Sequence, residues 1–223
     1  MAGEYRAVWK ELVALGAVVR TDPHAADALA VAYETMQRVD ANVRTLIERL
    51  TAMGYRFAER RPHTPPTAGV QKEIAALEKE RGALPLSLRA FYETVGEVNL
   101  IGRHPRIDPP GNDVAPDPLV VYGFDERLVE DNEDDEEDDE GGRQSAITIA
   151  PDDLHKADTS GGDPYEIAIP DLRADGELLN ERHGVLFVDY LRLCFEFGGF
   201  PGYEGTATIP AEIESLKAGL LEI

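Results

Sequence analysis

The chain has 223 residues, enough to bury a sizeable core as one domain plus an appendage. Its 43 acidic and 22 basic residues give a net charge of −21, which argues against nucleic-acid binding because phosphates would be repelled. The single cysteine, Cys194, excludes an intramolecular disulfide and a cysteine-based zinc cluster, and is expected in the core. There is no signal-peptide core and no apolar run of the roughly 18 residues that a membrane helix needs. We therefore expect a cytoplasmic protein that does not bind membranes.

Residues 1–58 are predicted to form a helical region with a helical hairpin. Apolar residues at helical spacing predict an amphipathic helix over residues 4–20, and Asp22-Pro23 resembles an N-cap followed by a first-turn proline. Two interlocked seven-residue apolar series then predict one long helix that ends at Gly54: Leu29, Met36, Val43 and Leu50, and Ala32, Val39, Leu46 and Met53. This stripe favours pairing with the helix at 4–20. A dimer seam is the alternative, and Asp40 could instead cap a separate helix.

A short strand at 55–58 and a proline-rich linker at 59–69 are predicted next, because a residue before proline is pushed out of the helical conformation. Helices follow at 70–81 and 86–95. They are separated by Gly82, which suits a left-handed cap, and by Pro85, which suits the first position of a helix. A strand near 98–102 and a short buried strand at 119–122 come after the second helix.

The ordered set of segments from residue 55 onwards resembles the SMI1/KNR4 (SUKH) superfamily. The resemblance is carried by the helix at 70–81, by Leu84-Pro85 with Leu88, Phe91 and Tyr92, by Gly96 and Gly102, by residues 117–120 and 165–170, and by 187–192 leading into 198–202. It implies that residues 70–223 form an α+β domain, with a mixed or antiparallel sheet and flanking helices. In bacteria it also implies an immunity protein that binds a toxin domain, and it implies neither catalytic residues nor a cofactor.

The last third of the chain alternates strand and helix signals. Ile147 and Ile149 predict one strand and residues 165–169 another, and the two are expected to pair antiparallel. Residues 185–197 predict a helix, because their polar residues recur at spacings of three and four rather than alternating. Pro210 is expected to open a final helix.

An acidic run at residues 130–140, EDNEDDEEDDE, is the one low-complexity segment. It supplies −10 of the net charge of −21. Such a run cannot pack, because each carboxylate would be desolvated beside like charges, so a solvated loop over 130–142 is expected. Calcium is the strongest metal alternative, but an EF-hand loop needs glycine at its sixth position, where this chain has Glu136. No metal site is predicted.

No catalytic motif is present: there is no GxSxG, GxxxxGK[ST] or HExxH sequence, and the five histidines show no ligand spacing. We therefore expect a non-enzymatic protein whose partner is a toxin domain with a basic surface. A scaffold or regulatory module without a toxin is the alternative. An acidic surface around an aromatic anchor is the expected binding site. Its candidate residues are Glu130, Asp131, Glu133, Asp134, Asp135, Glu136, Glu137, Asp138, Asp139, Glu140, Phe200 and Tyr203. A purely solubilising run, and packing of the final loop by the two aromatic residues, are the competing explanations.

Overall fold

The computed structural model describes residues 4–107, 115–131 and 145–223, with Glu130 and Asp131 described by their backbone alone. Seven α-helices lie in these ranges: α1 Glu4–Ala14, α2 Ala25–Ala52, α3 Val70–Arg81, α4 Leu86–Thr94, α5 Asp153–Lys156, α6 Phe187–Glu196 and α7 Ala211–Lys217. Their strands are β1 Arg56–Phe57, β2 His63–Thr64, β3 Glu97–Asn99, β4 Gly102–Arg103, β5 Val120–Val121, β6 Val129–Asp131, β7 Ser145–Ala150 and β8 Tyr165–Ile169. The predicted α+β fold with an N-terminal helical hairpin is confirmed.

Three small sheets are formed by these strands, and every pairing in them is antiparallel. β1 pairs with β4, β2–β3–β5 form a second sheet, and β6–β7–β8 form the third. The predicted pairing of residues around Ile147 with the strand at 165–169 is confirmed in β7 and β8. Every residue of β7 is buried, so this strand is the centre of the third sheet in packing as well as in strand order.

The N-terminal helix is shorter than predicted. α1 ends at Ala14, and residues 16–20 form a 3-10 helix that begins at Gly16, whose φ of 57° is a left-handed conformation that favours glycine. Asp22 is not the cap of α2, since that helix begins at Ala25. Instead, the carbonyl oxygen of Thr21 accepts hydrogen bonds from the amides of His24 and Ala25, which form a turn ahead of the helix.

Helix α2 is continuous through Asp40, as predicted, and its apolar stripe is buried. Ala32, Met36, Val39, Val43, Leu46 and Leu50 have no exposed surface. The predicted pairing with the 4–20 region is a minor part of the packing: α2 packs chiefly on α4 and also contacts the 3-10 helix, and Arg38 of α2 donates to the Tyr5 hydroxyl of α1. The reason is that α4 offers a wide apolar face, on which Leu88, Phe91 and Tyr92 are buried.

The proline-rich segment at 59–69 is not an irregular linker throughout, because β2 lies within it. β2 pairs with β3, and the amide of Asn99 donates to the carbonyl oxygen of Pro62 at 2.8 Å. His63 Nε2 lies 2.8 Å from the carbonyl oxygen of Val95. Prolines flank these contacts, but β2 is an edge strand, where a missing amide donor is tolerated. Apolar residues from both sides of the segment join one hydrophobic core.

The C-terminal elements follow the sequence predictions closely. Residues 187–196 form α6, and Gly198 and Gly199 follow it with φ of 61° and 93°. α7 begins directly after Pro210. Asn42 of α2 binds the final segment through both of its amide atoms, at 2.9 Å to the carbonyl oxygen and 2.7 Å to the amide of Leu221. Among the described residues, no helix has the length and apolar character that crossing a membrane would require.

Candidate functional site

The acidic run begins inside a strand rather than in a loop. Glu130 and Asp131 belong to β6, where they pair with Ala146 and Ser145 of β7. The prediction of a solvated loop is therefore wrong for these two residues. The pairing of β6 with β7 includes both of them, although their charges predicted that the loop begins at Glu130. Glu133, Asp134, Asp135, Glu136, Glu137, Asp138, Asp139 and Glu140 lie outside the described residues.

Phe200 and Tyr203 do not lie on the surface. Their exposed fractions are 1% and 2%, and the ring of Phe200 contacts that of Tyr55 with centroids 5.8 Å apart. The hydroxyl of Tyr203 donates to the carbonyl oxygen of Ile107. The expectation that these rings form an exposed anchor is wrong, and the competing explanation of loop packing applies. Their burial stabilises the segment after α6, since a buried aromatic side chain contributes about 3 kcal/mol or more.

A cleft of about 790 Å³ lies beside these aromatic residues. Its walls come from β1, β4, the segment 115–118 and α5 with the residues after it. Tyr55, Ile101, Ile107, Pro116, Pro118 and Phe200 provide its apolar lining. The volume is within the range of about 300–1,000 Å³ that is typical of ligand sites.

A buried ion pair forms the inner wall of the cleft. Lys156 Nζ lies 2.8 Å from Asp117 Oδ1 and donates to the Tyr190 hydroxyl at 3.1 Å. The side chain of Lys156 has no exposed surface and that of Asp117 has 5%, and the ammonium group lies 4.9 Å from the ring centroid of Tyr165. Asp117 has a φ of 48°, an uncommon conformation that aspartate tolerates better than most residues. Because these groups satisfy one another, they hold α5 against the 115–118 segment.

Burial keeps the tyrosines and the thiol next to this pair neutral. It raises the pKa of Tyr165 and Tyr190, and the nearby Asp117 carboxylate raises both further. Burial also raises the pKa of Cys194, which therefore lacks the thiolate character that a nucleophile needs. The predicted core position of Cys194 is confirmed.

Asp152 caps the short helix α5. Its Oδ1 accepts a hydrogen bond from the His155 amide at 3.0 Å and also contacts the His155 ring. Although burial acts to raise the pKa of Asp152, the hydrogen bonds from His155 hold it below its usual value. This cap places His155 at the edge of the cleft.

A second histidine lies between two carboxylates, away from the cleft. His183 Nδ1 is 2.6 Å from Glu181 Oε1, and its Nε2 contacts the carboxylate of Glu204. Within the described ranges, no group of three or more histidine, cysteine, aspartate or glutamate side chains has the arrangement of a metal site.

Sequence reasoning missed the cleft and its buried pair. Asp117 and Tyr190 lie in segments that carry the family resemblance, but Lys156 was not identified at all. The signal that was present is a lysine four residues after the Asp152 cap, one helical turn into the short helix. Its partner lies 39 positions earlier in the chain, so the pairing requires the tertiary structure.

Comparison with known proteins identifies no relative. No protein-family model, no curated protein and no solved structure matches the chain.

Proposed function

We propose that this is a non-enzymatic cytoplasmic protein that binds a protein partner with a basic surface, as an immunity protein that neutralises a cognate toxin domain. The partner's basic surface would be the substrate cleft of a nuclease toxin, which an anionic protein can occupy. The resemblance to the SMI1/KNR4 superfamily supports the immunity role, and the net charge of −21 supports the basic partner.

The pairing of β6 with β7 carries this proposal. Asp131 lies opposite Ser145, so the two strand ends that enclose the acidic run are held side by side. Eight consecutive carboxylates, from Glu133 to Glu140, are thus tethered at both ends to a sheet whose central strand is fully buried. A charge concentration of this kind steers a basic partner, raising association rates by about ten- to a thousandfold with steep salt dependence.

The scaffold alternative loses one of its two supports. It required the apolar stripe of α2 to be available for assembly, but that stripe is buried against α4. The acidic run remains its other support. We therefore favour charge-steered binding of one partner over assembly through α2.

The test compares two variants of equal charge. In the first, the eight acids from 133 to 140 become Asn or Gln. In the second, eight exposed acids elsewhere are changed in the same way: Glu4, Glu11, Asp22, Asp27, Glu48, Glu73, Glu177 and Glu196. Both variants have a net charge of −13, eight less negative than −21. Glu130 and Asp131 are kept because they belong to β6.

Each protein is used to capture partners from a lysate of the source organism at low salt, followed by mass spectrometry and measurement of association rates. We expect the wild type and the second variant to capture the same protein, and the first variant to bind it at least about tenfold more slowly. That protein should be toxic when expressed alone and harmless when co-expressed with the wild type. Equal rates for both variants would refute the role of the run, and a non-toxic partner would refute the immunity role.

A further inference from the structure

Two arginines lie opposite each other on the β1–β4 ribbon. Arg56 and Arg103 are directly paired in its register, so their side chains leave the ribbon on the same face. Both are exposed, and both line the cleft. Among the described residues, neither guanidinium has a carboxylate partner. Two like charges opposite each other destabilise a strand pair, so the arrangement calls for an anion between them.

The ribbon that carries these arginines is rigidly held. The amide of Ala58 donates to the carbonyl oxygen of Ile101 at 2.8 Å, and the Tyr55 hydroxyl donates to that of Leu100 at 2.9 Å. The strands also approach closely at Gly102, where an added Cβ would lie 2.9 Å from the Cα of Phe57 and would clash with the ring of Tyr55. The two guanidinium groups are therefore presented from a preformed base, which lowers the entropic cost of binding a ligand.

The net charge of the described residues that line the cleft is opposite in sign to the net charge of the whole chain. Arg56, Arg103 and Lys156 line it together with two carboxylates, Asp117 and Asp158. Asp117 is neutralised by Lys156, so among the described lining residues Asp158 is the one exposed carboxylate beside the two arginines. The cleft is thus locally cationic in a protein with a net charge of −21.

The geometry points to this cleft as a binding site for a small organic anion, a carboxylate or phosphate ester with an apolar body. The anionic group is held between Arg56 and Arg103, whose planar guanidinium groups bind carboxylate and phosphate oxygens in pairs. The apolar body lies on the lining formed by Tyr55, Pro116 and Phe200.

The ligand is small because the protein repels polyanions. A nucleic acid places many phosphates near a surface of strongly negative net charge, and among the described residues that line the cleft Arg56 and Arg103 are the exposed arginines that oppose that repulsion. An anion with one or two charges meets mainly the local field, since interactions beyond about 10 Å are screened at ordinary salt. Its apolar part also gains from the lining of the cleft.

The test titrates the full-length protein with phenyl phosphate, benzoate, the neutral benzamide and a short single-stranded oligonucleotide, by isothermal titration calorimetry at an ionic strength of about 0.1 M, where charges beyond about 10 Å are screened. Phenyl phosphate and benzoate distinguish a phosphate ligand from a carboxylate, and benzamide isolates the contribution of the ring. The variants are Arg56→Gln, Arg103→Gln and, as a matched control, Arg44→Gln. Arg44 is an exposed arginine of α2 that does not line the cleft.

We expect phenyl phosphate or benzoate to bind the wild type and Arg44→Gln alike, and about tenfold more tightly than benzamide. Each cleft variant should weaken that binding about tenfold, the effect of losing one hydrogen-bonded charge. The same ligand should raise the melting temperature of the wild type but not of the cleft variants. Undetectable binding of both anions, equal binding by the cleft variants, equal binding of benzamide, or tighter binding of a single-stranded oligonucleotide would each overturn the inference. No partner protein is needed, so the outcome is independent of the immunity role.

Discussion

Asp175 makes the stability of this protein sensitive to pH. Its side chain is 1% exposed and accepts hydrogen bonds from Trp9 Nε1 at 3.1 Å and from the Val188 amide at 3.2 Å. It thereby connects α1 to the first turn of α6. Burial raises the pKa of Asp175 to about 6 from an ordinary value of 3.8, although the hydrogen bonds from Trp9 and Val188 oppose that shift.

The sign of the effect follows from the raised pKa. The folded state holds the Asp175 proton more tightly than the unfolded state does. Protonation of Asp175 therefore stabilises the fold fully at pH values below the unfolded-state pKa of 3.8, and this stabilisation is lost as the pH rises through about 6. A shift of about two units corresponds to roughly 3 kcal/mol in total. Between pH 5 and pH 8, a window above the isoelectric point of about 4.5, about 1 kcal/mol of it is lost.

Asp175→Asn removes the titration while keeping the shape of the side chain. We would measure the free energy of unfolding by urea at pH 5 to 8 for the wild type, Asp175→Asn and Asp163→Asn, an exposed loop control. The wild type should lose about 1 kcal/mol more than Asp175→Asn across this window, and Asp163→Asn should follow the wild type. Trp9 is the only tryptophan, so its native fluorescence should titrate near pH 6. Parallel curves for the wild type and Asp175→Asn would refute the reasoning.

Three further predictions concern other parts of the core. Asp117→Asn should lower the free energy of unfolding by about 3–5 kcal/mol, because it leaves Lys156 buried without a counter-charge, and adding Lys156→Met should recover part of that loss; an unchanged urea midpoint for the single variant would contradict this. Gly96→Ala should cost about 1–3 kcal/mol more than Gly54→Ala: both glycines have a φ near 86°, but only at Gly96 would a Cβ meet backbone, 2.8 Å from the nitrogen of Pro66. Equal urea midpoints for the two glycine variants would rule out that clash. Cys194 should react with a thiol reagent at pH 8 only after unfolding, because burial raises its pKa, and rapid labelling of the native protein would show that the thiol is accessible.

Local chemistry made several elements predictable from sequence. Seven-residue apolar spacing is a property of one helix, so the course of α2 through Asp40 could be derived without knowing its neighbours. Gly82 follows α3 with a φ of 93°, a positive value of the kind that its predicted cap position requires. Errors arose where a partner had to be chosen. α2 packs chiefly on α4 and only to a small extent on the 4–20 region, and two residues assigned to a linker belong to β2.

The site depended still more on distant contacts. Phe200 and Tyr203 were candidate anchors because aromatic residues dominate binding hot spots, yet the fold buries both, as the competing explanation of loop packing predicts. Arg56 and Arg103 are 47 positions apart, and nothing local indicates that they face each other. Register is a property of two strands together, so neither strand's sequence reveals it alone.

The sequence by itself determined the total charge, the position of the acidic run, the periodicity of the long helix and the α+β class, since each depends on composition or on neighbours within a few residues. Only the tertiary structure decided which helix packs on α2, whether Phe200 and Tyr203 are buried, and that β1, β4, residues 115–118 and α5 enclose a cleft. The physical reason is that burial and strand register depend on residues far apart in the chain, whereas spacing and charge density do not.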